Sequence, residues 1–562
     1  MEQKTYDRYL RWLNEPSLSK EEKAELESLK GNDKEIEERF IADLEFGTAG
    51  LRGVMQMGTN RMNKYVIRHA TQGLAIYLLK EVAKPSVTIA YDSRNNSTLF
   101  AHEAAAVLAA NGIKVFIYKE LMPVPALSYA VRKIGTSAGI VVTASHNPRQ
   151  YNGYKVYGPD GCQMTIKAAN EVLANITKLE MFNDVKKGSF EEGLKSGLIE
   201  YISDEITESY YASVLSQSIK DEKVSPRILK VTYTPLHGAG LKPVTTVLAR
   251  DGFKNIDIVE EQRLPDGNFT TCPYPNPEIY EAMKLGMELM IRNHNDILIA
   301  TDPDSDRAGV AVNQNGKAII LTGNEIGILL FDFIYHARKE ENKLPKNPVV
   351  VKSLVSSDLV NLMGEKWGVN VINVLTGFKF IGEQILFLEQ KGEQNRFIFG
   401  YEESYGYLTN VEVRDKDAVN ACILICEMAN YYKHQGLTLL DRLNELYKEF
   451  GEYKTTTIAY EFPGLSGKEE MADLMRRSRT EEFKKEIGNV LAVADYKKGE
   501  INKDGKISPT NLPSSDVMKF FLKDNETIIF RPSGTEPKLK AYIFGKAENL
   551  DKIKAKVDSI VK

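Results

Sequence analysis

Three stretches of this chain repeat one order of apolar and polar positions. Each stretch has three short, nearly continuous apolar runs rich in β-branched residues, with helical patterns between them. In the first the runs are VTIAYDSR (87–94), KVFIY (114–118) and AGIVVTA (138–144). In the second they are ILKVTYT (228–234), NIDIVEE (255–261) and DILIATD (296–302). In the third they are PVVVKSL (348–354), NVINVLT (370–376) and RFIFGYE (396–402). Runs that are apolar at every position, rather than at alternate ones, suit strands buried on both faces. Strands alternating with helices of this length predict parallel sheets with right-handed crossovers. The three stretches share an order of elements and almost no identity.

The last part of the chain departs from this pattern. TIIFRPSGTEPKLKAYIFG reads as strand, loop, strand, and a Lys-rich amphipathic helix follows it. The expected architecture is therefore α/β with four domains. Three are repeated α/β units with mixed, mainly parallel sheets; the fourth is a C-terminal α+β domain, and all four surround a central cleft. No Gly/Ser/Pro-rich linker separates them, and the expected divisions are 1–205, 206–322, 323–450 and 451–562.

Composition narrows the function. The chain has 562 residues, 43% hydrophobic and 27% charged, with a formal net charge of −4. A nucleic-acid partner is not expected of a chain that is not basic. Charges interrupt the apolar stretches of MEQKTYDRYLRWLNEPS, so it reads as an amphipathic helix and not a signal peptide. No run approaches the ~18 apolar residues of a membrane span. Four cysteines suit a reducing compartment, and Cys422 and Cys426 in NACILICEMANYY read as core. A cytoplasmic protein is expected.

The polar clusters fall where the repeat places them. Each third run leads directly into one: TASHNP (143–148), TDPDSDR (301–307) and GYEES (400–404). Ligands of α/β sheets bind beyond the carboxyl ends of the strands. Ser145 is a candidate nucleophile that needs a base or metal beside it, with His146 adjacent and Lys155 ten residues on. A Ser/Asn turn is the plain alternative. Asp302, Asp304 and Asp306 alternate and can converge on a hard cation. The segment is no EF-hand, because Arg307 stands where that loop needs Gly and Asn313 where it needs Glu. Glu402 and Ser404 can accept from sugar hydroxyls. RPSGTEP (531–537) pairs Arg531 with hydroxyls and a Gly that admits backbone N–H groups to an anion. GxxxxGK[ST] and HExxH are missing from the chain.

In order and together, TASHNP, DPDSDR, GYEES and RPSGTEP resemble the motifs of the α-D-phosphohexomutase family. The resemblance spans nearly the whole chain, FGTAGLRG (46–53) included. It implies a phosphoserine at Ser145 and Mg²⁺ held by Asp302, Asp304, Asp306 and the Ser145 phosphate. It places Arg52 near the transferring phosphoryl group, Arg307 in the same pocket, and Lys155 as general acid/base with His146 beside it. Thr376 and Gly377 of TGFK would contact sugar, with Glu402 and Ser404 reading its hydroxyls. Lys416 of RDKDA, Arg531, Ser533, Gly534 and Thr535 would hold the non-transferring phosphate. GYEES is closer to the glucose-type loop than to GEMSGH, and resembles the bacterial phosphoglucomutase branch related to phosphopentomutases. The implied reaction exchanges phosphate between C1 and C6 oxygens through a hexose 1,6-bisphosphate, which also serves as activator. Pentose and mannose phosphates, bisphosphate synthesis and non-catalytic phosphosugar binding are the alternatives. A monomer is expected.

Overall fold

The computed structural model describes residues 2–47, 50–219, 226–463, 466–533 and 538–562. The chain forms two compact units. The first comprises Met1–Leu321, Ile385–Gln394 and Gly406–His434; the second comprises Thr322–Gln384, Asn395–Tyr405 and Gln435–Lys562.

The first unit holds two mixed sheets. One runs in the order Gly50–Val54, Tyr151–Tyr157, Ala138–Val142, Ser86–Tyr91, Lys114–Ile117 and Ile199–Tyr201. The last four strands are mutually parallel, while Tyr151–Tyr157 lies antiparallel to both its neighbours. The other runs Lys317–Leu321, Ala308–Gln314, Ile297–Thr301, Val231–Thr234 and Ile256–Ile258. Its last three strands are parallel and the first two antiparallel. Helices Gln3–Leu13, Lys20–Glu27 and Asp33–Phe40 precede the first sheet. Tyr9, Trp12 and Phe40 join Tyr65 and Phe182 in one aromatic cluster.

In the second unit, Val349–Ser353 lies between Asn370–Val374 and Phe397–Glu402, parallel to both. A seven-stranded antiparallel sheet follows within Tyr453–Lys546. Its core includes Phe483, Phe520, Phe530 and Val557. The sequence pattern exposes only two of these seven strands; the hairpin Glu500–Lys503 and Lys506–Pro509 at one edge of the sheet buries almost nothing.

All nine predicted runs are strands, and they share one topology. The first strand of each trio lies between the second and the third. Sheet order therefore reverses beside the first strand, and the loops that follow the first and third strands become neighbours. Such a reversal opens a crevice at the strands' carboxyl ends. Every strand side chain of Ala138–Val142, Ile297–Thr301 and Phe397–Glu402 is buried, which anchors the three polar loops. Cys422 and Cys426 are free and buried in helix Ala418–His434. No described helix is long and apolar enough to cross a membrane.

Candidate active site

The strand Ala138–Val142 ends two residues earlier than the apolar run suggests, and the cause is Ser145. Its backbone has φ 52°, a left-handed conformation uncommon outside glycine and associated with functional sites. The residue stays 3% exposed. Its Oγ donates to Asp302 Oδ2 at 2.8 Å, and His146 Nδ1 lies 3.1 Å from it. The Ser145 amide donates to Thr143 Oγ1 at 2.8 Å.

Asp302, Asp304 and Asp306 converge as expected. One carboxylate oxygen from each lies within 4.8 Å of the others, and all three residues are buried. Asp302 Oδ1 accepts from the amides of Asp306 at 3.1 Å and Arg307 at 3.0 Å, which aims its other oxygen at Ser145. Neighbouring elements fix the loop: the Val124 amide donates to the Asp304 carbonyl and the Ala418 amide to that of Ser305. The loop 235–240 packs beneath it, with the Ala239 amide on the Pro303 carbonyl at 2.8 Å. A Cβ on Gly238 would meet Pro303 Cα at 2.4 Å, so only glycine permits this approach.

Three cations face the triad. Lys155 Nζ lies 3.0 Å from Asp304 Oδ2 and 3.8 Å from Asp306 Oδ2. Lys416 Nζ lies 3.2 Å from Asp306 Oδ2 and 2.9 Å from Asp415 Oδ1. Arg307 is ion-paired with Glu278. Burial pushes the Asp302 carboxyl well above its ordinary range, and the charges of Asp304 and Asp306 add to this. Burial acts upward on Asp304 most strongly of any single cause, but Lys155, the Asp302 hydrogen bond and the Lys416 charge together outweigh it and hold the carboxyl at about 2. Desolvation and then the Arg307 charge push His146 down to about 2, so its ring is neutral.

These residues fit a divalent metal ion. Asp304 Oδ1 and Asp306 Oδ1 are buried with no hydrogen-bond partner, and unsatisfied buried carboxylate oxygens are costly unless something cationic meets them. An all-oxygen donor set of this kind suits a hard cation.

Arg52 reaches the same loop, with Nη1 donating to Asn147 Oδ1 at 3.1 Å. Its strand pairs with that of Lys155, Arg52 opposite Gly153. A Cβ at Gly153 would meet the Thr143 carbonyl oxygen at 2.5 Å, so glycine here lets the strand bearing Lys155 lie close under the Ser145 loop. Lys416, expected to hold the non-transferring phosphate, pairs here with Asp306 and Asp415 beside the metal loop.

The second unit collects the other predicted residues. Glu402, 6% exposed, accepts from the Gly377 amide at 2.6 Å through Oε1. Thr376 Oγ1 is 3.5 Å from Ser353 Oγ. Ser404 is half-buried in the turn after Glu402. The TGFK and GYEES loops are thus neighbours at the carboxyl ends of one parallel sheet. Arg531, half-buried, donates to the Tyr542 hydroxyl at 3.3 Å, and the Ser533 amide donates to the Lys538 carbonyl at 2.7 Å. Gly534 and Thr535 lie outside the described residues.

The motif reading missed Asp92 and Arg94 in YDSR. Asp92 accepts from the hydroxyls of Ser97 and Thr143, each at 2.7 Å, and Arg94 donates into the Ser145 loop. The sequence carries a signal for them: YDSR also ends a buried strand, the first of its trio, whereas the polar motifs follow third strands. Asp415, which holds Lys416, stands beside it in RDKDA, while Glu278, which holds Arg307, gave no motif signal of its own.

Known proteins place these features. The chain matches Phosphoglucomutase/phosphomannomutase, alpha/beta/alpha domain I over residues 43–182, domain II over 208–316 and domain III over 322–450. It is 36% identical over 518 residues to a phosphoglucomutase of Staphylococcus saprophyticus, covering 92% of each chain. Against that of Staphylococcus haemolyticus it is 37% identical over 522 residues, covering 92% of this chain and 93% of the relative. A putative phosphomannomutase from Thermus thermophilus shares the fold with a TM-score of 0.69 at 20% identity, over 92% of this chain and 99% of that one. The open form of a Paramecium phosphoglucomutase, parafusin, also gives 0.69, at 18% identity, over 92% and 96%. With a metal-competent Asp triad against a strained serine, and three family domains matched in order, the chain belongs to the α-D-phosphohexomutase (phosphoglucomutase/phosphomannomutase) family, enzymes that are intramolecular phosphotransferases.

Proposed function

We propose that this enzyme interconverts glucose 1-phosphate and glucose 6-phosphate through a phosphorylated Ser145. The observation that carries the reading is the 2.8 Å contact of Ser145 Oγ with Asp302, inside a triad that two lysines face. The glucose assignment is supported by GYEES and by the phosphoglucomutases 36–37% identical to this chain.

In this reading Mg²⁺ is held by Asp302, Asp304, Asp306 and the Ser145 phosphate, and when bound it offsets charge on the transferring phosphoryl group. Phosphoryl transfer depends chiefly on such charge neutralisation and on in-line positioning. The P–O bond to Ser145 breaks as one forms to the free sugar hydroxyl; the Lys155 ammonium gives a proton to the departing serine oxygen and, as the amine, takes the proton that the sugar hydroxyl loses. Arg52 and Arg307 orient the phosphoryl oxygens, and the neutral His146 supports the serine oxygen. Lys416, fixed on Asp306, joins this group rather than a distal clamp. The resulting glucose 1,6-bisphosphate returns its other phosphate to Ser145, and added bisphosphate recharges any dephosphorylated enzyme. Glu402, Ser404, Thr376 and Gly377 read the sugar hydroxyls, while Arg531, Ser533, Gly534 and Thr535 hold the other phosphate. Four domains divide at 205, 322 and 450, and the enzyme acts as a cytoplasmic monomer.

The test is Ser145→Ala, with intact mass read after incubation with glucose 1,6-bisphosphate. Wild type should carry one phosphate and the variant none, with turnover lower by several orders of magnitude. Near-normal turnover of the variant would refute the mechanism. A panel of glucose, mannose and pentose phosphates decides the substrate, and a preference for any other than glucose would overturn that assignment.

A further inference from the structure

We infer that Arg94 is the positioning residue that sets the Ser145 hydroxyl over the Asp triad, an inference that rests on Ser145 being the nucleophile. Arg94 is 3% exposed, and its guanidinium is spent almost entirely on one loop. Nη1 donates to the carbonyls of Pro148 at 3.0 Å and Tyr151 at 3.1 Å. Nη2 donates to the carbonyls of Ser145 and Asn147. Four backbone carbonyls between 145 and 151 thus converge on one planar cation. That gathering bends the chain back on itself and holds Ser145 at φ 52°, a conformation that persists only where its surroundings impose it.

The guanidinium itself is held from two sides. Asp92 Oδ2 lies 3.3 Å from Nε, while the same carboxylate accepts from Thr143, whose Oγ1 in turn accepts the Ser145 amide. On the other side the ring of Phe269, fully buried, lies 4.9 Å from the guanidinium carbon. Phe269 belongs to the loop that His237 fastens, with Nε2 2.8 Å from Thr271 Oγ1 and Nδ1 3.0 Å from the Leu264 carbonyl. Two residues beyond His237, the Ala239 amide is bonded to Pro303 of the metal loop. Arg94 therefore joins the serine loop to the framework that carries the aspartates. Planar geometry and a fixed fork of donors suit arginine to this task, and lysine cannot reproduce them.

The experiment compares Arg94→Lys and Phe269→Leu with wild type, with Ser145→Ala as control. A misplacement near 1 Å costs roughly 100-fold in rate, so kcat of Arg94→Lys should fall about that far while KM stays within about threefold. Phosphorylation of Ser145 by glucose 1,6-bisphosphate, followed by mass, should slow in parallel. Phe269→Leu keeps an apolar side chain but removes the ring face, and kcat should fall roughly 3- to 30-fold with KM unchanged. Arg94→Ala should regain at least part of its lost kcat when guanidinium ion is supplied at non-denaturing concentration. Unchanged kcat in both Arg94→Lys and Phe269→Leu, or a loss confined to KM, overturns the inference. If Ser145→Ala retains activity, the serine mechanism fails first; if it is inactive while the Arg94 and Phe269 variants turn over normally, only the positioning role fails.

Discussion

Replacing Lys155 with methionine separates the two things this lysine does. Its ammonium group is 3.0 Å from Asp304 and 3.8 Å from Asp306, both buried. At an effective dielectric near 20, the nearer contact alone is about 5 kcal/mol of attraction. Desolvation of the lysine offsets part of this, and breaking a buried pair typically costs about 3–5 kcal/mol. Lys416 remains on Asp306 at 3.2 Å, so we expect the lower end, about 3 kcal/mol. That loss should appear in denaturant unfolding of metal-free protein. Saturating Mg²⁺ should recover most of it, because a divalent cation meets the same carboxylates. Activity should not recover with it, since general acid/base residues contribute roughly 10²- to 10⁴-fold. The pH dependence also has a definite sign. Asp304, held at about 2 in the wild type, contributes stability that is present above its unfolded pKa and lost as pH falls towards 2. Without Lys155 burial acts unopposed by its charge, and acid destabilisation should begin at a higher pH. Equal stability of metal-free variant and wild type, or metal-restored turnover, would refute the reasoning.

Three further outcomes are expected. Chelation should abolish turnover and Mg²⁺ restore it, with Asp304→Asn shifting the restoring concentration upward; full activity in excess chelator would exclude the metal assignment. Arg531→Ala should lower kcat/KM about 10- to 150-fold through one lost charge-assisted contact of roughly 1.5–3 kcal/mol. It should leave stability nearly unchanged, since the described contact of Arg531 is a long bond to Tyr542, and unaltered kinetics would move the phosphate clamp elsewhere. Asp417, buried and raised to about 6, binds its proton more tightly folded than unfolded. Wild-type stability should therefore fall by about 3 kcal/mol between pH ~4 and 6 from this group. Asp417→Asn should flatten that segment in a denaturation series, and an unchanged slope would refute it.

Much of this protein was legible because buried parallel strands write themselves plainly. The first and third strands of each trio are covered on both faces and the second only in part, yet all nine runs marked strands, and the polar residues at their ends marked Ser145, Asp302, Asp304, Asp306 and Glu402. The family resemblance rested on the same loops. What it could not supply was adjacency. That Lys155 meets Asp304, that Lys416 meets Asp306, and that Arg94 gathers carbonyls 51–57 residues away depend on strand order. In each trio the first strand lies between the other two, and nothing in a local pattern of apolar residues states which strand sits beside which. The weak edge strands of the C-terminal sheet were hidden for the opposite reason: hardly buried, they carry no apolar signature. Sequence by itself determined which residues end each strand and therefore which chemistry is available. Tertiary packing alone decided which of them share a carboxylate, because hydrogen bonds and ion pairs form between neighbours in space, and those neighbours are set by long-range burial.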